Sequence, residues 1–308
     1  MIAIDLGSNT IRLIHFECST QTILFEESII VKSADGIAVD GNISSSALTR
    51  VIEAIKLFQS KIDFHKESVV AVTTQALREA KNSKDVLDAI KRATGVAFQV
   101  ISGDEEARLT LKAVDFRLNQ LGFTKGFMLV DIGGGSTEII LSDGKDFLAK
   151  SFPVGIVTLS QKHTSQEAME TYLDDYKNNF MDFIHSAKEK LGDIELFVAT
   201  AGTPTTLANM KLGRSASEYN AQDINGVSIT LDEALVQLEK LLRMNQAQKI
   251  QAVGVGREDI ITAGVLILKQ LYEAGGFREC IVIDDGLREG VALEACEKNC
   301  NFKSLCDF

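Results

Sequence analysis

A chain of 308 residues exceeds the size at which a single hydrophobic core usually stops growing, so two domains are the starting expectation. A hydrophobic fraction of 45% with two prolines supplies packed cores and excludes long Pro-rich disordered linkers. The formal charge of −11 excludes a general nucleic-acid binder, and any anion site must be built locally from backbone N–H groups, a few arginines and a divalent cation.

In chain order, alternating and continuous apolar runs predict strands at Ile2–Leu6, Ile11–Phe16 and Ile23–Val31, close enough to form a meander. A helix follows, with Leu48, Val51, Ile52, Ile55, Phe58 and Ile62 on one face and Ser44 to Ser46 as cap candidates. Next come a strand at Val69–Thr73, a helix around Val86–Ala93 ended by Gly95, a strand at Ala97–Ile101 and a helix from Glu105 to Leu121 stopped by Gly122. From Gly126 the order restarts: strands at Phe127–Ile132, Thr137–Leu141 and Phe147–Phe152, a helix over Glu167–Leu191 and a strand at Leu196–Thr200. Helices at Pro204–Lys211, Leu231–Arg243 and Asp259–Glu273, a strand at Cys280–Ile283 and a helix from Leu287 to about Lys298 complete the chain. The pattern is an approximate tandem duplication: an N-terminal lobe over 1–122, a C-terminal lobe over 123–287, and a segment from about 288 to 308 expected to pack back on the first lobe. The first crossing between lobes is expected near Leu121–Lys125.

The clearest trace of the repeat is local. Asp5-Leu6-Gly7-Ser8-Asn9-Thr10 and Asp131-Ile132-Gly133-Gly134-Gly135-Ser136 stand 126 residues apart, each an Asp at a strand end, then a glycine turn, then a strand. Such turns expose backbone N–H groups at close range and can form an anion-binding nest. One turn alone is explained by hairpin chemistry, which favours Asn, Asp and Gly. Two turns with an Asp at the same offset point to a phosphate chain cradled between two lobes.

No apolar run reaches the roughly 18 residues that span a bilayer, and Met1 to Leu6 reads as a strand and not as a secretory signal, so a cytoplasmic protein with no membrane partner is expected. Five cysteines do not suggest a disulfide framework. Cys296, Cys300 and Cys306 lack a fourth nearby ligand for zinc, and ordinary thiols are expected. His15, His65, His163 and His185 are scattered and leave little for histidine-based chemistry.

The chain resembles the exopolyphosphatase and guanosine pentaphosphate phosphohydrolase family over essentially its whole length. The resemblance is carried by Asp5 to Leu13, Thr73 to Asn82, Ile101 to Leu109, Asp131 to Glu138, Thr200 to Leu207, Arg257 to Ile261 and Gly286 to Gly290, in the family's order. It departs at Thr10, where a serine is common, and at Ala199, where glycine is expected. It implies an α/β fold of the duplicated actin-like ATPase (ribonuclease H-like) type, two lobes with a central cleft, in the short form of the family. It also implies a phosphoanhydride hydrolase acting on inorganic polyphosphate or on guanosine pentaphosphate (pppGpp), the latter a nucleotide of the stringent response.

Hydrolysis of a phosphoanhydride needs a held phosphate, charge neutralisation and a water in line with the leaving oxygen. The holding residues are expected to be Gly7, Ser8, Asn9, Thr10 and Arg12 in one half and Gly133, Gly134, Gly135, Ser136 and Thr137 in the other. Thr203-Pro204 reads as the start of a helix that could add a second anion site. Ser102 and Glu105 have capping-box spacing, which accounts for Glu105 without function and leaves Glu106, where the resemblance places the catalytic base; Glu105 is the fallback. Asp131, Glu138 and Asp5 are the candidates for Mg2+ or another divalent cation, directly or through water. Among the motif arginines Arg12 is expected to touch substrate, whereas Arg78 and Arg108 suit ordinary helix pairing with acids. Competing readings are an ATP-dependent small-molecule kinase of the same superfamily, a non-catalytic alarmone sensor and an actin-like assembling protein. A Ser136 nucleophile lacks both the elbow motif and a histidine partner. A homodimer is compatible with all of these.

Overall fold

A computed structural model describes the backbone of residues 1–303 and the side chains of these except 38 and 299–303. The chain divides into two compact units, Met1–Ala113 together with the chain from Gly286 on, and Val114–Asp285. The first unit holds β1 (Ile2–Leu6), β2 (Thr10–Glu17), β3 (Thr22–Ile30), α1 (Ile37–Asp40), α2 (Ser45–Lys61), β4 (Val69–Thr73), α3 (Gln75–Glu79), α4 (Ser83–Thr94), β5 (Phe98–Val100) and most of α5 (Gly103–Gln120). The second contains β6 (Phe127–Ile132), β7 (Thr137–Ser142), β8 (Phe147–Phe152), α6 (Ile156–Lys162), α7 (Gln166–Leu191), β9 (Leu196–Thr200) and α8 (Gly202–Lys211). It continues with α9 (Ala221–Ile224), β10 (Val227–Thr230), α10 (Leu231–Arg243), α11 (Gln246–Val253), α12 (Ile261–Gly275) and β11 (Glu279–Val282), after which α13 (Leu287–Lys303) returns to the first unit.

The two sheets repeat one topology. The first runs β3-β2-β1-β4-β5 and the second β8-β7-β6-β9-β11, with β10 added at the end. In each, an antiparallel meander is followed by parallel strands: β1 pairs with β4 and β4 with β5, as β6 pairs with β9 and β9 with β11. This is the duplicated α/β organisation expected from the strand order.

Each unit has its own core. In the first, Ile2, Ile4 and Leu6 of β1 and Ile11 and Leu13 of β2 pack with Val51, Ile55 and Phe58 of α2. The Oγ of Ser44 accepts the N–H of Ala47 and starts α2, and Gly95 at φ 76° ends α4 in the left-handed conformation that favours glycine. In the second, Val130 and Ile132 of β6 join Phe180 and Ile184 of α7 and Leu268 and Leu271 of α12. Among the described residues no helix is long and apolar enough to cross a membrane.

Several elements differ from the sequence reading. The helices α1, α3, α6, α9 and α11 and the strand β10 were not expected. Four to eight residues are too few for a helical period to show, although Asn245 and Gln248 form a capping box at the start of α11. Strand β10 runs without a loop into α10, whose N-cap is its last residue, Thr230. Helix α8 begins at Gly202, so Thr203-Pro204 lies inside the first turn and does not form its cap.

The cysteines correct the thiol expectation. Cys18 and Cys296 form a disulfide across 278 positions, and Cys280 is a buried free thiol. Spacing along the chain could not reveal a bridge made by the return of α13; the side chain of Cys300 and all of Cys306 lie outside the described residues. Around this bridge α13 packs on β1, β2 and β4. Glu294 of α13 takes hydrogen bonds from Lys112, Arg108 and Lys298, which hold its carboxyl down to about 2. Closing so long a loop restricts the unfolded chain, and Cys18→Ser is expected to lower stability by roughly 2–5 kcal/mol. Urea denaturation checks this: the gap between wild type and variant should disappear in dithiothreitol.

Candidate active site

In the first unit the candidate residues gather at the β1–β2 turn. The hydrogen bond from Gly7 N to Thr10 O, 3.0 Å, closes it. All three central carbonyls are held from one side: Gly7 O by the Ser33 hydroxyl at 2.5 Å, Ser8 O by Ala34 N at 3.0 Å, and Asn9 O by both Val31 N and Lys32 N at 2.9 Å. In a trans peptide the C=O of one residue and the N–H of the next point in opposite directions. The N–H groups of Ser8, Asn9 and Thr10 are therefore turned away from the 31–34 segment, the arrangement an anion nest requires. Asp5, at the end of β1, is buried and stands opposite Arg12 of β2, so both project from the same face of the sheet.

Glu106 sits in the first turn of α5. Its Oε2 accepts from Arg78 Nη1 at 3.0 Å, and the same Nη1 donates to Ile101 O at 2.7 Å. Arg78 thus serves the candidate base and not, as its helical setting suggested, an acid one turn away on α3. Glu105 divides its groups differently: its N–H goes to the Ser102 hydroxyl, and both carboxylate oxygens accept from Arg108 at 2.9 Å. Arg108 holds the Glu105 carboxyl below the usual range. Of the two neighbouring acids, Glu105 belongs to the surface pairing of α5.

The β6–β7 turn of the second unit repeats the first turn with different supports. Gly133 N donates to Ser136 O at 2.9 Å. The carbonyl of Gly133 accepts from Ile156 N, that of Gly134 from Val157 N, and that of Gly135 from the Thr158 hydroxyl, all at the start of α6. By the same peptide geometry the N–H groups of Gly134, Gly135 and Ser136 face the other way. Gly155 makes room for this: a Cβ there would lie 2.5 Å from Gly134 O.

One rung of the second sheet carries the acidic candidates. Asp131 of β6 stands opposite Glu138 of β7 on one side and Thr200 of β9 on the other, and Glu138 stands opposite Ser151 of β8. Glu138 is only 4% exposed, and its Oε1 accepts from the hydroxyls of Ser136 and Ser151, each at 2.7 Å. Thr137 alternates to the opposite face, where its hydroxyl donates to Val154 O at 2.6 Å. Its side chain is therefore structural, and the Ser136 hydroxyl serves Glu138. Among the described residues no group of three or more His, Cys, Asp or Glu gathers in metal-binding geometry.

The sequence reading passed over Ser33, Arg50, Ser151, Gly155, Thr158 and Ala201, whose roles emerge only from register and loop contacts. Ala201 joins β9 to α8 at φ 72°, ψ −171°, a region that glycine alone occupies without strain. The Arg257 guanidinium lies beside Gly202 and donates to the Thr206 hydroxyl at 3.2 Å. Ala201→Gly should relieve the backbone and raise stability by about 1 kcal/mol, read as a higher thermal midpoint.

These features define an α/β chain of the actin-like ATPase fold, built twice over on an Asp-ended strand and a turn of inward-held carbonyls. Residues 15–299 match the Ppx/GppA phosphatase family, and the chain belongs to that family. It is 28% identical to exopolyphosphatase 2 of Mycobacterium tuberculosis, over 94% of this chain and 97% of that protein. It is 25% identical to a bifunctional 3-dehydroquinate synthase/phosphatase of Fusobacterium nucleatum; the match takes in 96% of this chain but spans only 46% of that longer relative. Among solved structures, the Aquifex aeolicus Ppx/GppA family member superposes with a TM-score of 0.73 at 27% identity, covering 97% of both chains.

Proposed function

We propose that the chain releases terminal phosphate from a polyphosphorylated substrate, inorganic polyphosphate or guanosine pentaphosphate, by in-line attack of water without a covalent intermediate. The observation that carries the reading is the pair of matched turns, each with its carbonyls tied back and three successive N–H groups turned outward. Phosphoryl transfer needs little covalent chemistry from a protein and depends on such positioning and charge stabilisation.

Glu106, oriented by Arg78, is the group to take or direct the proton of the attacking water. Arg12 adds a cation to the face that carries Asp5. Asp131 and Glu138 form a hard-oxygen pair that fits Mg2+, which commonly takes one or two carboxylates and completes its shell with water and phosphate oxygens. When bound there it would supply charge neutralisation. The two serines that donate to Glu138 fix that carboxylate's rotamer with or without the ion.

The test is side-by-side turnover of polyphosphate and pppGpp by one pure preparation, with Mg2+ and with EDTA. Magnesium-dependent phosphate release from either substrate is expected. Failure on both, accompanied by ATP-dependent phosphorylation of an acceptor, would replace this reading with the kinase alternative.

A further inference from the structure

We propose that Ser33 is a positioning residue that sets the direction of one phosphate-binding N–H group, that of Ser8, through its hydrogen bond to Gly7 O; the assignment rests on the functional reading above. The three carbonyls of the β1–β2 turn are not held alike. Ser8 O and Asn9 O take backbone donors, Ala34 N for the first and Val31 N with Lys32 N for the second. Among the described residues the donor to Gly7 O is a side chain, the Ser33 hydroxyl at 2.5 Å, which comes from 26 positions further along the chain. In the second turn the corresponding carbonyl, Gly133 O, takes a backbone donor, Ile156 N. The first peptide of the β1–β2 turn is thus entrusted to a group that one substitution can remove.

Gly7 C=O and Ser8 N–H belong to one planar unit, so whatever fixes the first also fixes the second. Glycine does little to fix it, because without a Cβ its own dihedrals are permissive. Ser33, by contrast, is held firmly. It is 1% exposed and follows Lys32, whose φ of 46° is a left-handed conformation that a long side chain adopts only where the surroundings over-determine it. Arg50 of α2 supplies that constraint, binding Val31 O at 2.7 Å, Lys32 O at 3.2 Å and the Asp35 carboxylate at 2.6 Å. Without the hydroxyl, Gly7 O loses its donor, and a carbonyl so deprived gains by rotating toward another partner. The rotation would carry Ser8 N–H out of line with its two neighbours.

The experiment follows the amide NMR signals of Ser8, Asn9 and Thr10 while inorganic tripolyphosphate is added in EDTA, in wild type and in Ser33→Ala. All three amide protons should move downfield in the wild type. In the variant the Ser8 response should vanish, while Asn9 and Thr10, whose peptides keep their backbone-held carbonyls, still respond. Affinity should fall about tenfold. In turnover with Mg2+, KM should rise by a similar factor with kcat within about twofold, since the lost contact serves ground state and transition state alike. A Ser8 amide that responds equally in both proteins, or no response at any of the three in the wild type, overturns the assignment. Equal loss at all three in the variant would mark a merely structural role and overturn it too. Selective loss at Ser8 in a protein that releases no phosphate would support the assignment while removing the hydrolase reading.

Discussion

Glu106→Gln is expected to lower the rate constant for phosphate release by about 10²–10⁴, the usual contribution of a positioned general base. The substitution keeps size and shape and removes only the ability to take a proton. The ion pair with Arg78 weakens to a neutral hydrogen bond, and Arg78 retains its bond to Ile101 O, so the fold should hold. Glu105→Gln is the control: it loses the contact with Arg108 at the surface, where an ion pair is worth little, and phosphate release should stay near wild type. Single-turnover phosphate release by both variants, alongside their circular dichroism, decides the matter. A Glu106 variant working at the wild-type rate would show that the base lies elsewhere.

Gly290→Ala should destabilise the protein by about 3 kcal/mol, against the direction of helix propensity. Alanine is the better helix former by about 1 kcal/mol, so an unconstrained site would gain stability. Here a Cβ would fall 1.9 Å from Leu109 O and 2.6 Å from Leu109 C. Those are backbone atoms of α5 and cannot swing aside as a side chain can, so α13 must move off α5. Overpacking of this kind typically costs about 1–3 kcal/mol and occasionally more. Urea midpoints with the slope recorded would test it, and a rise in the midpoint would show that the two helices have slack.

Much of the fold was legible because its signals are local. Strands β1, β4, β6, β8 and β9 lie where their apolar runs predicted, and the repeated turn at Gly7 and Gly133 rests on backbone chemistry readable in six residues. What escaped was set by partners far along the chain. The loop 31–35 is tied to the β1–β2 turn only through the bonds from Val31, Lys32 and Ala34 to Asn9 and Ser8 and from Ser33 to Gly7, and Arg50 reaches it from α2. Alternation along β7 is enough to send Thr137 and Glu138 to opposite faces. It could not show that Ser151 would meet Glu138, since that depends on the register of β8.

The same offset that marks the repeat also shows where its halves diverged. Arg12 and Glu138 follow Asp5 and Asp131 by equal steps and occupy matching rungs, yet carry opposite charge. On the proposed reading the first copy would serve the anion and the second the cation.

The discontinuity of the first unit has a consequence for biosynthesis. The second unit is a single stretch and can close as soon as its last strand leaves the ribosome. The first cannot, because α13, which packs on β1, β2 and β4, is synthesised only after the whole second unit. Throughout translation of the intervening residues this half-covered sheet is the exposed surface that chaperones would shield, and the link between Cys18 and Cys296 can be sealed only after it is covered.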